Sequence, residues 1–278
     1  MHAFKTSRPR FWIYLFGPYL LGAVSLIGTG AIENHLGALI IFGFYFLFPA
    51  NLFIYGVNDI FDYETDRRNE KKRGYETLVK PDDRKSLTRL ILLFNAPFFI
   101  FGPLLLPFHA FLGLLGFAFF GFFYSAPPIR AKIRPFLDAF FNVLYVFPAL
   151  VSFGFLGLPA TSVFIAGTLW CMAMHAYSAI PDITADKEAE LQTVATVLGV
   201  KNTLAFCFLL YLVATLLVLP SLGFLSLALL ALYAAMLLIS LKTPTQAHVR
   251  KIYSFFPYLN AFCGFLLTIF FLYRTLNS

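Results

Sequence analysis

Long apolar runs separated by short polar segments dominate the sequence. A helix needs about 20 apolar residues to cross a bilayer, and several of the runs approach or exceed that length. We predict transmembrane helices at about residues 11–32, 36–57, 87–106, 108–125, 136–158, 160–180, 201–222, 224–241 and 252–273. Pro107 and the segment Gly157-Leu158-Pro159 supply turns at two of the shortest breaks. The pattern therefore predicts an all-α integral membrane protein with about nine transmembrane helices, in which residues 1–278 form a single domain.

The composition agrees with this pattern. Apolar and aromatic residues make up 59% of the 278 positions and charged residues only 13%, and the mean hydropathy is +0.77. Soluble domains average about 45–50% apolar and about 25% charged residues. These figures exclude a disordered chain. They also argue against a soluble enzyme, because a globule of this length cannot bury so much apolar surface.

The positions of the basic residues orient the predicted bundle. If the N-terminus and the segments 58–86, 126–135, 181–200 and 242–251 lie on one side, every Lys and Arg except Arg274 lies at or near that side. Short segments rich in Lys and Arg stay in the cytoplasm. We therefore expect the N-terminus and these loops in the cytoplasm and the C-terminus outside the plasma (inner) membrane. The net charge of +7 then reports orientation, and the scattered basic residues argue against a nucleic-acid partner.

The acidic residues need a separate explanation, because Asp and Glu contribute little to membrane orientation. Two rows of oxygen-bearing side chains lie at the cytoplasmic ends of predicted helices, with an i, i+4 spacing that places their members on one helix face. The first row and a neighbouring carboxylate comprise Asn58, Asp59, Asp62 and Asp66, and the second row comprises Asp182 and Asp186. Carboxylates at this spacing repel one another unless a cation lies between them, and Mg²⁺ binds one or two carboxylates together with substrate phosphate. Two such rows facing each other would hold Mg²⁺ and a diphosphate; ordinary solvated helix ends are the alternative interpretation.

Basic residues follow both acidic rows directly. Arg67 and Arg68 come after the first row, and Lys187 comes after the second. Guanidinium and ammonium groups suit phosphate oxygens. These three residues are therefore candidates for binding a diphosphate.

A third segment follows the fourth predicted helix on the same side. Tyr124 precedes two prolines that end the helix, and Arg130 and Lys132 come after them. Asp138 lies about one turn inside the next predicted helix. His175 lies seven positions before the second acidic row and shares its helix face two turns deeper, where the imidazole would contact an acceptor or pack between helices.

Together these motifs resemble the UbiA superfamily of intramembrane prenyltransferases. Asn58-Asp59-x2-Asp62-x3-Asp66 is similar to the first acidic motif of that superfamily, Asp182-x3-Asp186 to its second, and Tyr124-Ser125-x-Pro127-Pro128-x-Arg130-x-Lys132 to its intervening tyrosine–lysine segment. The resemblance implies a helical bundle around a central cavity that opens to the lipid. It also implies Mg²⁺-dependent transfer of an isoprenyl group from an allylic diphosphate to a hydrophobic acceptor within the membrane.

The resemblance also implies roles for individual residues. The expected metal ligands are Asn58, Asp59, Asp62, Asp66, Asp182 and Asp186. The expected substrate contacts are Arg67, Arg68, Arg130, Lys132, His175 and Lys187. Tyr124 would lie near the reacting carbon and Lys132 would act on the diphosphate. Asp138 or the released diphosphate would accept the final proton.

The residues around the second acidic row resemble the carotenoid branch of the superfamily, the lycopene elongases. The similar residues run from His175 to Ala189 and continue in Thr193-x2-Thr196-Val197-Leu198-Gly199. This branch implies a five-carbon donor, dimethylallyl diphosphate (DMAPP), and a carotenoid acceptor such as lycopene. Two alternatives stay open: prenylation of an aromatic quinone precursor or other lipid acceptor, and a secondary transporter, whose acids would lie nearer mid-membrane.

Overall fold

The computed structural model describes residues 3–62 and 79–277, and every regular element in these two ranges is a helix. We number the α-helices of the described ranges in chain order. They are α1 (Ala3–Thr6), α2 (Ile13–Val24), α3 (Ala31–Leu47), α4 (Pro49–Phe61), α5 (Arg84–Leu105), α6 (Phe108–Ser125), α7 (Leu137–Phe140), α8 (Phe147–Phe153), α9 (Thr161–Ala179), α10 (Ile183–Glu188), α11 (Val194–Leu222), α12 (Phe224–Lys242), α13 (Gln246–Tyr253) and α14 (Phe256–Leu276). The all-α fold class predicted from the sequence is confirmed.

Seven helices within the described ranges are long and apolar enough to cross a membrane, so the predicted count of nine is not confirmed. These seven coincide with seven of the predicted spans. The other two spans, 11–32 and 136–158, contain only shorter helices. Large apolar side chains such as Leu104 and Phe224 are highly exposed, as lipid-facing residues are.

The apolar helix Ala31–Phe61, which is long enough to cross a membrane, bends where α3 meets α4. Pro49 has no backbone N–H and cannot continue the hydrogen-bond ladder of α3. The Asn51 side-chain amide donates instead to the Phe46 and Leu47 carbonyls, at 2.9 and 3.1 Å. This buried amide satisfies carbonyls that the bend leaves open, so the chain can bend inside an apolar environment.

The predicted span 136–158 is broken into three short elements. Between α7 and α8 the chain forms a 3₁₀ helix, Phe141–Tyr145. Pro148 lacks the N–H that a continuous helix would need, and the Asn142 side chain donates to the Asp138 carbonyl at 2.7 Å. The single helix predicted here from the apolar run is therefore replaced by three short consecutive helical elements.

The chain divides into two compact units. The first comprises Met1–Arg130, Phe147–Leu158 and Thr268–Ser278, and in it α8 packs against α2 and α6, while α4 packs against α5 and α6. The Ser152 hydroxyl donates to the Tyr19 carbonyl at 2.7 Å, which fastens α8 to α2. The core of this unit combines aliphatic side chains with buried aromatic rings such as Tyr45, Phe46 and Phe117.

The second unit comprises Ala131–Val146 and Pro159–Leu267. In it α9 and α12 pack against α11. The rings of Trp170, Tyr211 and Tyr233, one from each of these helices, lie 4.7–4.8 Å apart between centroids. This aromatic packing joins three helices of the unit, and the second acidic row follows the C-terminal end of α9.

Candidate active site

The first acidic row lies where α4 ends. The helix ends at Phe61, and Asp62 follows as its C-terminal cap, with its backbone N–H donating to the Asn58 carbonyl at 3.0 Å. The Asn58 side-chain amide donates to Asp62 Oδ2 and to Ser125 Oγ, the latter at 3.1 Å. The predicted spacing therefore does bring Asn58 and Asp62 together. Asp66, predicted in the same row, lies outside the described residues, as do Arg67 and Arg68.

The tyrosine–lysine segment places a cation beside this row. Arg130 Nη2 lies 4.0 Å from Asp62 Oδ1, and the Asp62 side chain is only 2% exposed. Arg130 has a left-handed backbone (φ 44°), and its N–H donates to the Ala126 carbonyl at 2.9 Å. Tyr124 is half-buried in the last turn of α6, one residue before the serine that Asn58 contacts.

Asp59 has a partner that the sequence did not suggest. Its carboxylate forms an ion pair with Arg8, at 2.8 Å between Oδ1 and Nη2, and its side chain is 2% exposed. The Arg8 guanidinium also lies 4.6 Å from the centre of the Tyr55 ring. From the sequence the N-terminal basic residues indicate only orientation, and nothing in their spacing distinguishes Arg8 from Lys5 or Arg10.

The second acidic row lies on a bend rather than on one continuous helix. A 3₁₀ turn, Ile180–Asp182, joins α9 to α10, so Asp182 ends the turn and Asp186 lies in α10. The Asp186 carboxylate interacts electrostatically with Asp182, Lys132 and His175 and accepts a hydrogen bond from the Thr193 side chain. The structure thus gathers four residues of the predicted site within the second unit. Lys187 is exposed.

A helix that the sequence did not predict borders this row. The sequence pattern predicts a loop at 242–251, but the structure has a helix there, α13, which Thr245 caps by accepting the His248 N–H at 3.3 Å. Arg250 on α13 donates to the Pro181 carbonyl at 2.7 Å and lies 3.9 Å from Asp182. The local signal was the Thr245 cap followed by polar and basic residues, which predicts a short amphipathic helix.

Asp138 is completely buried and contacts two other elements. Its Oδ2 accepts the Val194 backbone N–H at 3.0 Å, at the start of α11, and lies 3.4 Å from His175 Nε2. The sequence placed Asp138 and His175 on the same side of the membrane but did not pair them. Their residue types alone gave no reason to do so.

No group of three or more His, Cys, Asp and Glu side chains within the described ranges is arranged to hold a metal ion. Among the described residues, the first row contributes Asn58 and Asp62, and the second row contributes Asp182 and Asp186. The next carboxylate of the first row, Asp66, lies outside the described residues. Every side-chain atom that these residues would offer as a ligand is oxygen. This donor set suits a hard ion such as Mg²⁺.

Comparison with known proteins settles the family. The UbiA prenyltransferase family profile matches residues 12–271, nearly the whole chain. The chain belongs to the UbiA prenyltransferase family. It is therefore an integral membrane prenyltransferase, and the resemblance read from its motifs is confirmed.

Individual UbiA relatives indicate which branch of the family this sequence resembles. The lycopene elongase/hydratase of Haloarcula japonica is 41% identical over 76% of this chain and 71% of its own length. That of Halobacterium salinarum is 36% identical over 96% of each chain. A UbiA homologue from Archaeoglobus fulgidus, solved bound to DMAPP and Mg²⁺, superposes with a TM-score of 0.70 at 17% identity, covering 96% of this chain and 99% of that one. This UbiA chain therefore has the fold of that homologue, and its sequence is similar to the carotenoid branch.

Proposed function

We propose that this UbiA protein transfers a five-carbon isoprenyl group from DMAPP to a carotenoid such as lycopene within the membrane. The observation that carries the proposal is the near full-length similarity to lycopene elongase/hydratases, at 36% identity over 96% of both chains. The acidic motifs and their order support the diphosphate as donor. We also propose that residues 1–278 act as one domain of nine spans around a lipid-open cavity, with the N-terminus in the cytoplasm of the cell and the C-terminus outside.

The two acidic rows are assigned to the donor's metal-bound diphosphate. Asn58 and Asp62, with Asp66, form one half of the ligand set, and Asp182 and Asp186 form the other. Their oxygen donors and the burial of Asp62 fit a divalent cation, since a buried carboxylate needs a compensating charge. Bound Mg²⁺ would neutralise the charge that develops on the departing diphosphate. Asp59 is assigned to the ion pair with Arg8, which leaves Asn58 and Asp62 as the described ligands of this row.

The basic residues bind the diphosphate oxygens. Arg130 lies beside Asp62 of the first row, and Lys132 interacts electrostatically with Asp186 of the second row. Each acidic row therefore has a neighbouring cation that could bind phosphate oxygens. We assign the same role to Arg67, Arg68 and the exposed Lys187. Tyr124 is assigned to the reacting carbon, where an aromatic face stabilises an allylic cation.

The test is a transfer assay with purified protein, lycopene, DMAPP and Mg²⁺. Wild type should form products that are heavier by one and two five-carbon units. Asp62→Ala and Asp186→Ala should lower the rate by at least about a hundredfold, because the departing diphosphate loses electrostatic stabilisation. Matched controls are Asp82→Ala and Glu188→Ala, which remove exposed carboxylates from the same two units and should keep the rate.

The outcomes separate the possible functions. Unchanged activity in Asp62→Ala or Asp186→Ala would contradict the metal-site assignment. Prenylation of an aromatic acid with lycopene left intact would replace the carotenoid acceptor by a quinone precursor. Retention of all variants in the membrane fraction checks that the loss of activity does not come from failed insertion.

A further inference from the structure

An apolar groove in the second unit is separate from the candidate active site. It lies between α12, α13 and the start of α14, and its volume is about 490 Å³, which is within the range of about 300–1,000 Å³ that ligand sites occupy. Its lining is apolar except for Lys251. We propose that this groove binds an acyl chain of an anionic glycerophospholipid, whose phosphate pairs with Lys251. The inference goes beyond the proposed function and does not depend on it.

One face of α12 supplies much of the apolar lining. Leu232, Met236 and Ile239 line the groove, and their spacing of four and then three residues keeps them on one side of the helix. Leu259 of α14 and Phe255, which directly precedes that helix, add to the lining. Ile239 and Phe255 are both exposed. The groove therefore opens outward, where lipid surrounds the protein.

The depth of the groove matches one leaflet of a bilayer. Leu232 lies ten residues before Lys242, the last residue of α12, which is a distance of about 15 Å at a rise of about 1.5 Å per residue. The hydrocarbon core of a bilayer is about 30 Å thick, so the groove reaches about half-way across it. A phospholipid acyl chain ends at the same depth, whereas a polyene that spans the membrane would continue beyond it.

The helix α13 closes the polar end of the groove. It lies against the last turns of α12, where His248 Nε2 is 3.1 Å from the Ile239 carbonyl oxygen. Val249 of α13 is buried, while Arg250 and Lys251 in its last turn are exposed. Such a division of apolar and basic side chains is typical of helices that lie in the membrane interface, with their cations at the headgroups.

Lys251 is available for an anionic ligand. It is exposed and forms no ion pair within the described ranges, whereas its neighbour Arg250 contacts the Pro181 carbonyl and lies beside Asp182. The sequence from Leu191 to the C-terminus contains no Asp or Glu. An ammonium group at the polar end of an apolar groove complements a phosphate that is joined to an acyl chain. The orientation rule explains why basic residues lie on this side, but it does not explain a groove beneath one of them.

Native mass spectrometry of the purified full chain in detergent tests the headgroup contact, with phosphatidylglycerol and phosphatidylcholine of identical acyl chains as probes. Wild type should bind phosphatidylglycerol at least about fivefold more tightly, since one basic residue beside an anionic headgroup contributes about that factor. Lys251→Gln should remove this preference and leave the affinity for phosphatidylcholine unchanged. Lys201→Gln, which removes an exposed lysine elsewhere in the same unit, is the matched control and should keep the preference.

A second variant tests the groove itself. Ala235 lines the groove and is exposed, so the ring in Ala235→Phe should occupy the place of the acyl chain and abolish the tightest phosphatidylglycerol binding event. Ala231→Phe adds the same ring one turn away, at an exposed position that does not line the groove, and should bind as wild type does. Thermal midpoints of the variants in detergent check that each remains folded.

The remaining outcomes would contradict the proposal. Equal affinity of wild type for the two lipids, or phosphatidylglycerol binding that is unchanged in Lys251→Gln and Ala235→Phe, would overturn it. Displacement of the lipid by lycopene would assign the groove to a polyene, and a dimer that is lost in Ala235→Phe would assign it to a second copy of the chain. Lipid binding is measured without DMAPP, so a failure of the proposed prenyl transfer would leave this result unaffected.

Discussion

At the residue scale, the acidic motifs are surrounded by cations from distant parts of the sequence. Arg8 pairs with Asp59, Arg130 lies beside Asp62, and Arg250 lies beside Asp182. Of the three arginines, only Arg130 belongs to a motif. The i, i+4 spacing correctly predicted that Asn58 lies next to Asp62, because that information is local. The long-range cations depend on how helices pack, which spacing does not encode.

The Arg8–Asp59 pair predicts a separation between stability and metal dependence. Asp59→Asn should lower the thermal midpoint of the detergent-solubilised protein while leaving the Mg²⁺ concentration for half-maximal activity unchanged. Removing one partner of a buried ion pair costs about 3–5 kcal/mol, because the other charge stays buried without it. Asp62→Asn should do the reverse and raise the Mg²⁺ requirement.

The measurements for this pair are a thermal melt and a Mg²⁺ titration of each variant. Arg8→Met should share the lowered midpoint of Asp59→Asn, whereas Arg10→Met, which removes a neighbouring exposed arginine, should change it little. If Asp59→Asn raises the Mg²⁺ requirement as much as Asp62→Asn does, Asp59 is a ligand after all.

At the element scale, prolines and polar side chains interrupt helices that the apolar pattern predicts to be continuous. The run 136–158 is apolar enough for one span, yet Pro148 and Asn142 divide it. In the run 31–61 the Asn51 side chain satisfies carbonyls at the bend, so the two helices continue as one apolar segment. Hydropathy measures whether a segment tolerates lipid. It does not measure whether the backbone within it is straight.

Close packing of α2 on α8 gives a prediction for Gly22. A Cβ at this position would lie 2.5 Å from the Ala149 carbonyl oxygen, so even alanine would force the two helices apart. Small residues allow such close approach between helices in membranes. Gly22→Ala should destabilise the protein by about 1–3 kcal/mol, the usual cost of overpacking.

Gly17 in the same helix is the matched control. A Cβ there meets only the Ile13 side chain, at 3.6 Å, so Gly17→Ala should be neutral or slightly stabilising. Thermal unfolding in detergent compares the two variants. Equal midpoints would show that α2 and α8 do not pack as closely as the structure indicates.

At the scale of the whole molecule, the sequence was sufficient for the fold class, the family and the carotenoid branch. The fold class follows from composition and hydropathy, and the family and branch follow from the resemblance of the ordered motifs to those of known prenyltransferases. It was not sufficient for the count of spans, because 11–32 and 136–158 consist of short helices whose depth in a bilayer does not follow from hydropathy. It also did not identify the residues that support the site, such as Thr193 at Asp186 and Ser125 at Asn58.

The charge pattern predicts that the two termini lie on opposite sides of the membrane. A C-terminal alkaline phosphatase fusion of the full chain should be active and a C-terminal green fluorescent protein fusion dark, because Arg274 is the one basic residue placed outside. Fusions after Lys242 should show the opposite. A fluorescent C-terminal fusion of the full chain would indicate an even number of crossings and overturn the orientation.

Arg250 has a consequence for the order in which the protein matures. Its guanidinium donates to the Pro181 carbonyl 69 residues earlier in the chain. The ribosome therefore synthesises both acidic motifs well before it adds Arg250, the residue that contacts the second motif. Chains fold from the N-terminus while they are synthesised, so a nascent chain would carry its reactive motifs without that contact until the α13 helix emerged. The late arrival of α13 would delay the finished active site until most of the membrane bundle had been inserted.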